Sequence, residues 1–192
     1  MKAKIILASN SPRRKELLAG LGIDFEVRVV GNIDESFPSD MPKQDVAEYI
    51  AAKKASAYQV SENDILLTAD TVVIVDDEIL GKPIDAKDAA RMLNLISGRT
   101  HQVVTGVCLK SQELICSFSV CTDVTFKKLT ENEVDYYISE YKPFDKAGAY
   151  GIQEWIGYIG VTKIEGSYFN VMGLPVQRIY EALVKEFNLF GK

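Results

Sequence analysis

At 192 residues, with 47% hydrophobic and 26% charged side chains, the chain has the balance of a globular protein long enough to bury a sizeable core. Its formal net charge of −5 lacks the basic footprint of a nucleic-acid binder, so an anionic ligand must be held by a local group of cations. Three cysteines without C-x-x-C spacing and one histidine, His101, argue against a disulfide framework, a zinc centre and a Ser-His-Asp triad.

Ile5–Ala8 reads as a short buried strand, too short for a signal peptide. No segment is long enough to span a bilayer, so the expectation is a soluble cytoplasmic protein with neither membrane nor nucleic-acid partners. Ser11 and Pro12 open a helix as N-cap and first residue, with Leu17, Leu18 and Leu21 inward and Gly22 at its end. Phe25–Val30 alternates like a strand, and residues 31–45 form an acidic loop. A helix runs from Asp45 to Tyr58. Ile65–Val75 is a β-branched apolar run broken by Asp70 and Thr71, followed by a turn at Asp76-Asp77 and a return strand to Leu80.

Asp85 caps the next helix, striped by Ala89, Met92, Leu93 and Ile96 and stopped by Gly98. Val103–Leu109 and Leu114–Phe126 form a hairpin, with Phe118, Val120, Thr122, Val124 and Phe126 on one face. Thr130 and Glu133 make a capping box for a helix carrying Val134, Tyr137, Ile138 and Tyr141. A glycine-rich stretch covers 148–160, and a last helix from Pro175 is striped by Val176, Ile179, Tyr180, Leu183, Val184 and Phe187. The fold class is α/β, a mixed twisted sheet with flanking helices.

Three positions break local rules. Arg13 and Arg14 lie in the first turn of a helix, where a cation opposes the helix dipole by about 0.3–1 kcal/mol. With Ser9 and the free backbone N–H groups they would make a phosphate cradle; the alternative is that both arginines point to water. Lys54 falls in the middle of an apolar stripe formed by Ala47, Ile50, Ala51, Ala57 and Tyr58, so it snorkels out or faces a polar cleft, whereas Lys53 lies on the solvated edge. Asp70 interrupts a strand of core character, where an ionised carboxylate costs several kcal/mol unless paired or metal-bound. It is a general-base candidate or a structural aspartate at a strand bend. Lys82, held extended by Pro83, returns toward Asp70 if the two strands form a hairpin and would neutralise phosphoryl charge.

In order and spacing these residues resemble the Maf family. The resemblance rests on Leu7-Ala-Ser-Asn-Ser-Pro-Arg-Arg14, the acidic pair Asp34-Glu35, Ile50-Ala-Ala-Lys-Lys-Ala55, Ala69-Asp-Thr-Val-Val73 and Leu80-Gly-Lys-Pro83. Ser97–Gly106, Lys146–Gln153 and Ile164–Pro175 complete it, so it covers nearly the whole chain. It implies one Maf-like domain over 1–192, elongated and two-lobed around a central cleft as in the inosine-triphosphate pyrophosphatases. It also implies a homodimer that hydrolyses a nucleoside triphosphate to monophosphate and pyrophosphate with Mg²⁺ or Mn²⁺. In that picture Asp70 activates water, Glu35 and Asp70 hold the metal, and Ser9, Arg13, Arg14, Lys54 and Lys82 hold phosphates. Thr71, Arg13 and Gln153 resemble the dTTP- and UTP-directed branch, and a glutamine offers both a donor and an acceptor to a pyrimidine edge. Glu154 departs from the family pattern, where a glycine is usual, and is expected to face solvent. The rival readings are a purine-directed enzyme acting on 7-methyl-GTP or inosine triphosphate, and a nucleotide-binding regulator of septum formation.

Overall fold

The computed structural model describes residues 4–189. β1 (Lys4–Leu7), α1 (Pro12–Ala19), β2 (Phe25–Val27), α2 (Lys43–Ser56), β3 (Asp64–Val75), β4 (Glu78–Leu80) and α3 (Ala86–Ile96) come first. β5 (Thr100–Lys110), β6 (Ile115–Phe126), α4 (Glu131–Tyr141), α5 (Trp155–Gly160), β7 (Val161–Glu165), α6 (Tyr168–Met172) and α7 (Val176–Lys185) follow. The sheet order is β2-β1-β3-β5-β6-β7, with β4 on β3. β1 is parallel to β2 and β3, whereas β3–β4 and β6–β7 are antiparallel, so the sheet is mixed, as expected.

Two compact units emerge, one from the residues up to Asp70, Thr105–Val120 and Gly173 onward, the other from Thr71–Val104 and Cys121–Met172. In the first, Ile6, Leu66, Ala51, Ala55, Tyr58 and Cys108 pack α2 onto β1, β3 and β5. Gly106 makes this possible: a Cβ there would lie 2.2 Å from the carbonyl carbon of Ala47 and from the amide nitrogen of Glu48 on α2. Thr68 on β3 donates its hydroxyl to the Ala51 carbonyl of α2 at 2.7 Å, fixing which strand position faces which helical turn.

Several boundaries differ from the sequence expectation. β2 ends at Val27, not Val30, because its partner runs out: Leu7, the last residue of β1, stands opposite Val27. The chain then turns away, and Val30 donates its N–H to the Tyr58 hydroxyl at 2.8 Å. α2 begins at Lys43, directly after Pro42, whose φ of −55° already suits a helix, and Asp45 lies in its first turn with the favourable charge. The stripe of α7 is half as wide as its pattern suggests, since Val176, Ile179 and Leu183 are buried but Tyr180 and Val184 stand exposed. The glycine-rich stretch hides α5, and α6 follows β7. Each is at most six residues long, too short to show a period.

In the second unit, α3 and α4 cover a core of Val73, Leu80, Leu93, Val103, Phe126 and Tyr137. The caps are as expected: Asp85 accepts the Asp88 N–H at 2.8 Å, and Thr130 and Glu133 form the full capping box. His101 lies in this core, its Nε2 2.7 Å from the Tyr150 hydroxyl and its ring edge-on to Tyr150. Nδ1 has no hydrogen-bond partner among the described residues, and an imidazolium needs an acceptor at each nitrogen. Burial accordingly pushes the His101 pKa down to about 4. The unfolded chain takes up this proton near the ordinary value of about 6.5, so the stabilisation is complete above that pH and is lost as pH falls toward 4. Urea unfolding should show the wild-type protein losing about 2–3 kcal/mol more than H101Q between pH 7 and pH 4.5. Equal losses in the two proteins would contradict the assignment.

Candidate active site

The carboxyl end of β1 delivers the chain into α1, with Ala8 still donating to the Leu67 carbonyl at 2.9 Å. Ser9 is buried, and its hydroxyl oxygen accepts the Ser11 N–H at 3.2 Å. Ser11 caps α1 by accepting the Arg14 N–H. Because β1 stops opposite Leu67 while β3 continues to Val75, the residues just past Leu67 lie beside the start of α1. In parallel sheets this is the ordinary place for a ligand.

Arg14 departs from the sequence reading. Its guanidinium donates from Nε to the Gly173 carbonyl at 2.8 Å and from Nη1 to the Ala69 carbonyl at 2.9 Å. The side chain neither points to water nor keeps its whole fork for phosphate. It ties the first turn of α1 to β3 at the residue before Asp70. Burial lowers its pKa, and the charge of Asp70 works against that. A half-buried guanidinium beside the strand supplies a positive field to Asp70. Arg13, the neighbouring cation, is half-buried.

Asp70 lies on the same face of β3 as Thr68, two residues on, and meets the next turn of α2. There Lys54 donates to Asp70 Oδ1 at 2.7 Å and stands 3.1 Å from Glu35 Oε1. Lys54 therefore does not snorkel; its side chain is 15% exposed and that of Asp70 14%. The lysine in the apolar stripe is there because the strand facing it carries a carboxylate.

Lys53 is likewise more than a solvated edge residue. It donates to Asp34 Oδ2 at 2.7 Å and to the Ser36 carbonyl at 2.8 Å, while Asp34 accepts the Ser36 N–H and hydroxyl. The Lys53 and Ser36 bonds hold the Asp34 carboxyl well below the usual carboxylate range. Adjacent lysines thus fasten the acidic loop, Lys53 through Asp34 and Lys54 through Glu35, and bring Glu35 to the same ammonium as Asp70. Two carboxylates gathered round one positive charge supply hard oxygen donors of the type that Mg²⁺ or Mn²⁺ takes. Among the described residues no three His, Cys, Asp or Glu side chains gather as a metal cage. A cation on Asp70 and Glu35 would need further oxygens from water or a ligand.

The remaining residues singled out in the sequence belong to the second unit. Thr71 is half-buried next to Asp70 in the chain. Lys82 is exposed beyond β4, between Gly81, whose carbonyl accepts the Gly148 N–H at 3.0 Å, and the buried Pro83. Gln153 has its side-chain Oε1 buried without a hydrogen-bond partner among the described residues. Glu154 does not face solvent as expected. Its carboxylate accepts from the Tyr137 hydroxyl and pairs with the buried Lys146 at 3.1 Å. The sequence carries no signal for this contact, because Tyr137 reads only as part of an apolar stripe.

A helix start at the end of a parallel strand, with cations and paired carboxylates beside it, defines an α/β protein with a site suited to an anionic, phosphate-like ligand. A sequence model of the Maf family, described as "Maf-like protein", matches residues 4–186, and the chain belongs to that family. A protein of Phocaeicola vulgatus named "dTTP/UTP pyrophosphatase" is 56% identical over 186 residues, covering 96% of each chain. Proteins of the same name are similar at 52% in Bacteroides thetaiotaomicron, over 96% of both chains, and at 53% in Porphyromonas gingivalis strain W83, over 97% of this chain and 95% of that one. A solved HAM1 protein from Coxiella burnetii matches with a TM-score of 0.36 at 17% identity over 64% of this chain and 73% of its own, a likeness too slight to carry an argument.

Proposed function

We propose that this chain is a nucleoside triphosphate pyrophosphatase that hydrolyses dTTP and UTP to the monophosphate and pyrophosphate. The observation that carries the proposal is the convergence of Asp70 and Glu35 on Lys54, on the strand that Arg14 ties to the N-terminal turn of α1. Relatives above 50% identity that carry this activity in their names support the choice of substrate.

In the reaction a water oxygen bonds to the α-phosphorus as the bond from that phosphorus to the α–β bridging oxygen breaks, and pyrophosphate leaves with the bridging electrons. Asp70 takes the proton of the attacking water. Lys54 engages Oδ1, keeps the carboxylate oriented and leaves Oδ2 for the proton. Arg13, Lys82 and the Ser9 hydroxyl hold the triphosphate oxygens and compensate the charge that builds on the leaving group. Arg14 acts one step removed, by fixing the Ala69–Asp70 backbone and supplying its field. A bound Mg²⁺ or Mn²⁺, held by Asp70 and Glu35, would supply further charge neutralisation for the phosphates. Thr71 and Gln153 select the base; a glutamine amide matches the N3–H donor and O4 acceptor of uracil or thymine.

The protein would act in the cytoplasm, where these triphosphates are made, and as a homodimer, which light scattering on a sizing column reads directly. The experiment that tests the reading is pyrophosphate release from a panel of dTTP, UTP, CTP, GTP, inosine triphosphate and 7-methyl-GTP in the presence of Mg²⁺ or Mn²⁺. Preferred cleavage of dTTP and UTP is expected. A preference for a purine, or no release from any of the six, would refute it.

A further inference from the structure

The turn that carries Gln153 is closed at both ends by one phenol. Glu154 donates its N–H to the Gly151 carbonyl at 3.0 Å, so Ile152 and Gln153 stand at the corners of a four-residue turn. Tyr137, fully buried on α4, accepts the Gly151 N–H at 3.0 Å and donates its own O–H to the Glu154 carboxylate. The first and fourth residues of the turn are thereby tied to a single oxygen atom.

The packing leaves this turn one arrangement. A Cβ on residue 151 would lie 2.8 Å from Glu154 Cδ, so the glycine lets the carboxylate fold back over the turn. A Cβ on residue 157 would lie 1.8 Å from the Ile152 carbonyl oxygen, so α5 also packs closely on the turn. Lys146, its side chain 8% exposed, neutralises Glu154 at 3.1 Å and also pairs with Asp145 at 2.7 Å. A carboxylate at 154 accepts the phenol hydrogen bond more strongly than a neutral group would, and Lys146 offers it an opposite charge. The Gln153 side chain has a buried Oε1 without a hydrogen-bond partner among the described residues.

We infer that Tyr137 and Glu154 are positioning residues for base selection, holding the 151–154 turn so that the Gln153 amide meets a pyrimidine edge in a fixed place. This rests on the proposed function. A glutamine on a loose turn adapts to several ring edges, whereas one on a turn pinned at both ends accepts only the ring whose donor and acceptor arrive at that spot. Glu154 is then the second anchor of the turn.

The test compares kcat and KM for UTP and GTP in the wild-type protein, Y137F, E154A and E154Q. In Y137F and E154A, KM for UTP is expected to rise about tenfold with kcat changed less than about threefold, and the preference for UTP over GTP to fall about tenfold. E154Q still accepts the Tyr137 hydrogen bond through its amide oxygen and is expected to keep most of the preference. A merely structural role lowers kcat for both substrates through the folded fraction and leaves their ratio unchanged. A UTP:GTP ratio within about twofold of wild type in both Y137F and E154A overturns the inference and leaves the proposed function standing. A wild-type protein without pyrimidine preference overturns both.

Discussion

Replacing Asp70 by asparagine is expected to lower kcat for dTTP or UTP by about a thousandfold, roughly 4 kcal/mol of transition-state stabilisation, while leaving the protein folded. The isosteric amide keeps the shape of the side chain and still accepts the Lys54 hydrogen bond, but it has no basic oxygen for the proton of the attacking water. The cost in stability is smaller than that of breaking a fully buried pair. Lys54 keeps Glu35 as a partner at 3.1 Å, and the lost charge is felt by Lys54 and by Arg14, whose guanidinium lies in the field of Asp70. About 1–2 kcal/mol is expected, a melting temperature lowered by roughly 2–8 °C for a chain of this size. The two readouts separate the causes: a thousandfold loss in a protein still folded at the assay temperature is chemistry, not unfolding. Activity within about threefold of wild type would remove Asp70 from the role of base.

Gly106→Ala should give a large loss of stability. The new carbon would sit 2.2 Å from the Ala47 carbonyl carbon and the Glu48 amide nitrogen, and 2.3 Å from the Ala47 oxygen. These are backbone atoms of a helix, and no rotamer change moves them aside. β5 and α2 must part by more than an ångström, which opens the packing of Ala51 and Ala55 and stretches the 2.7 Å bond from Thr68 to the Ala51 carbonyl. Overpacking of side chains costs about 1–3 kcal/mol; backbone against backbone should exceed that, at about 4 kcal/mol, or a fall in melting temperature of roughly 8–16 °C. Because α2 carries Lys54, the displacement also draws the ammonium away from Asp70, so kcat should fall in whatever fraction remains folded. A melting temperature within about 2 °C of wild type would mean that α2 does not approach β5 as closely as described.

Some of this architecture was legible in local pattern. The caps at Asp85 and Thr130 and the stripe of α3 are decided within one or two helical turns, and the burial of Asp70's neighbours along β3 follows from an apolar run. The violations were legible as well: a cation in the first turn of α1, a lysine within an apolar stripe, a carboxylate inside a strand. Their partners were not. Arg14 reads as a phosphate ligand or a solvent-facing cation, and its bond to the carbonyl of Gly173, far along the chain and 2.8 Å from Nε, leaves no local trace. Glu154 reads as a surface residue until Tyr137 turns out to carry its hydroxyl to the start of the same turn. The ends of β2 and the width of the α7 stripe depend on where neighbouring elements stop, which no period within a segment records.

The amino-acid sequence by itself determined the α/β class, the order of most elements and the handful of residues whose chemistry conflicts with their surroundings, because periodicity, capping and charge act over a few residues. Only the tertiary structure decided which conflict answers which. The pairing of Lys54 with Asp70 and Glu35, and of Tyr137 with Glu154, joins residues from separate elements. Hydrogen bonds and ion pairs act over about 3 Å in space, whatever the separation along the chain.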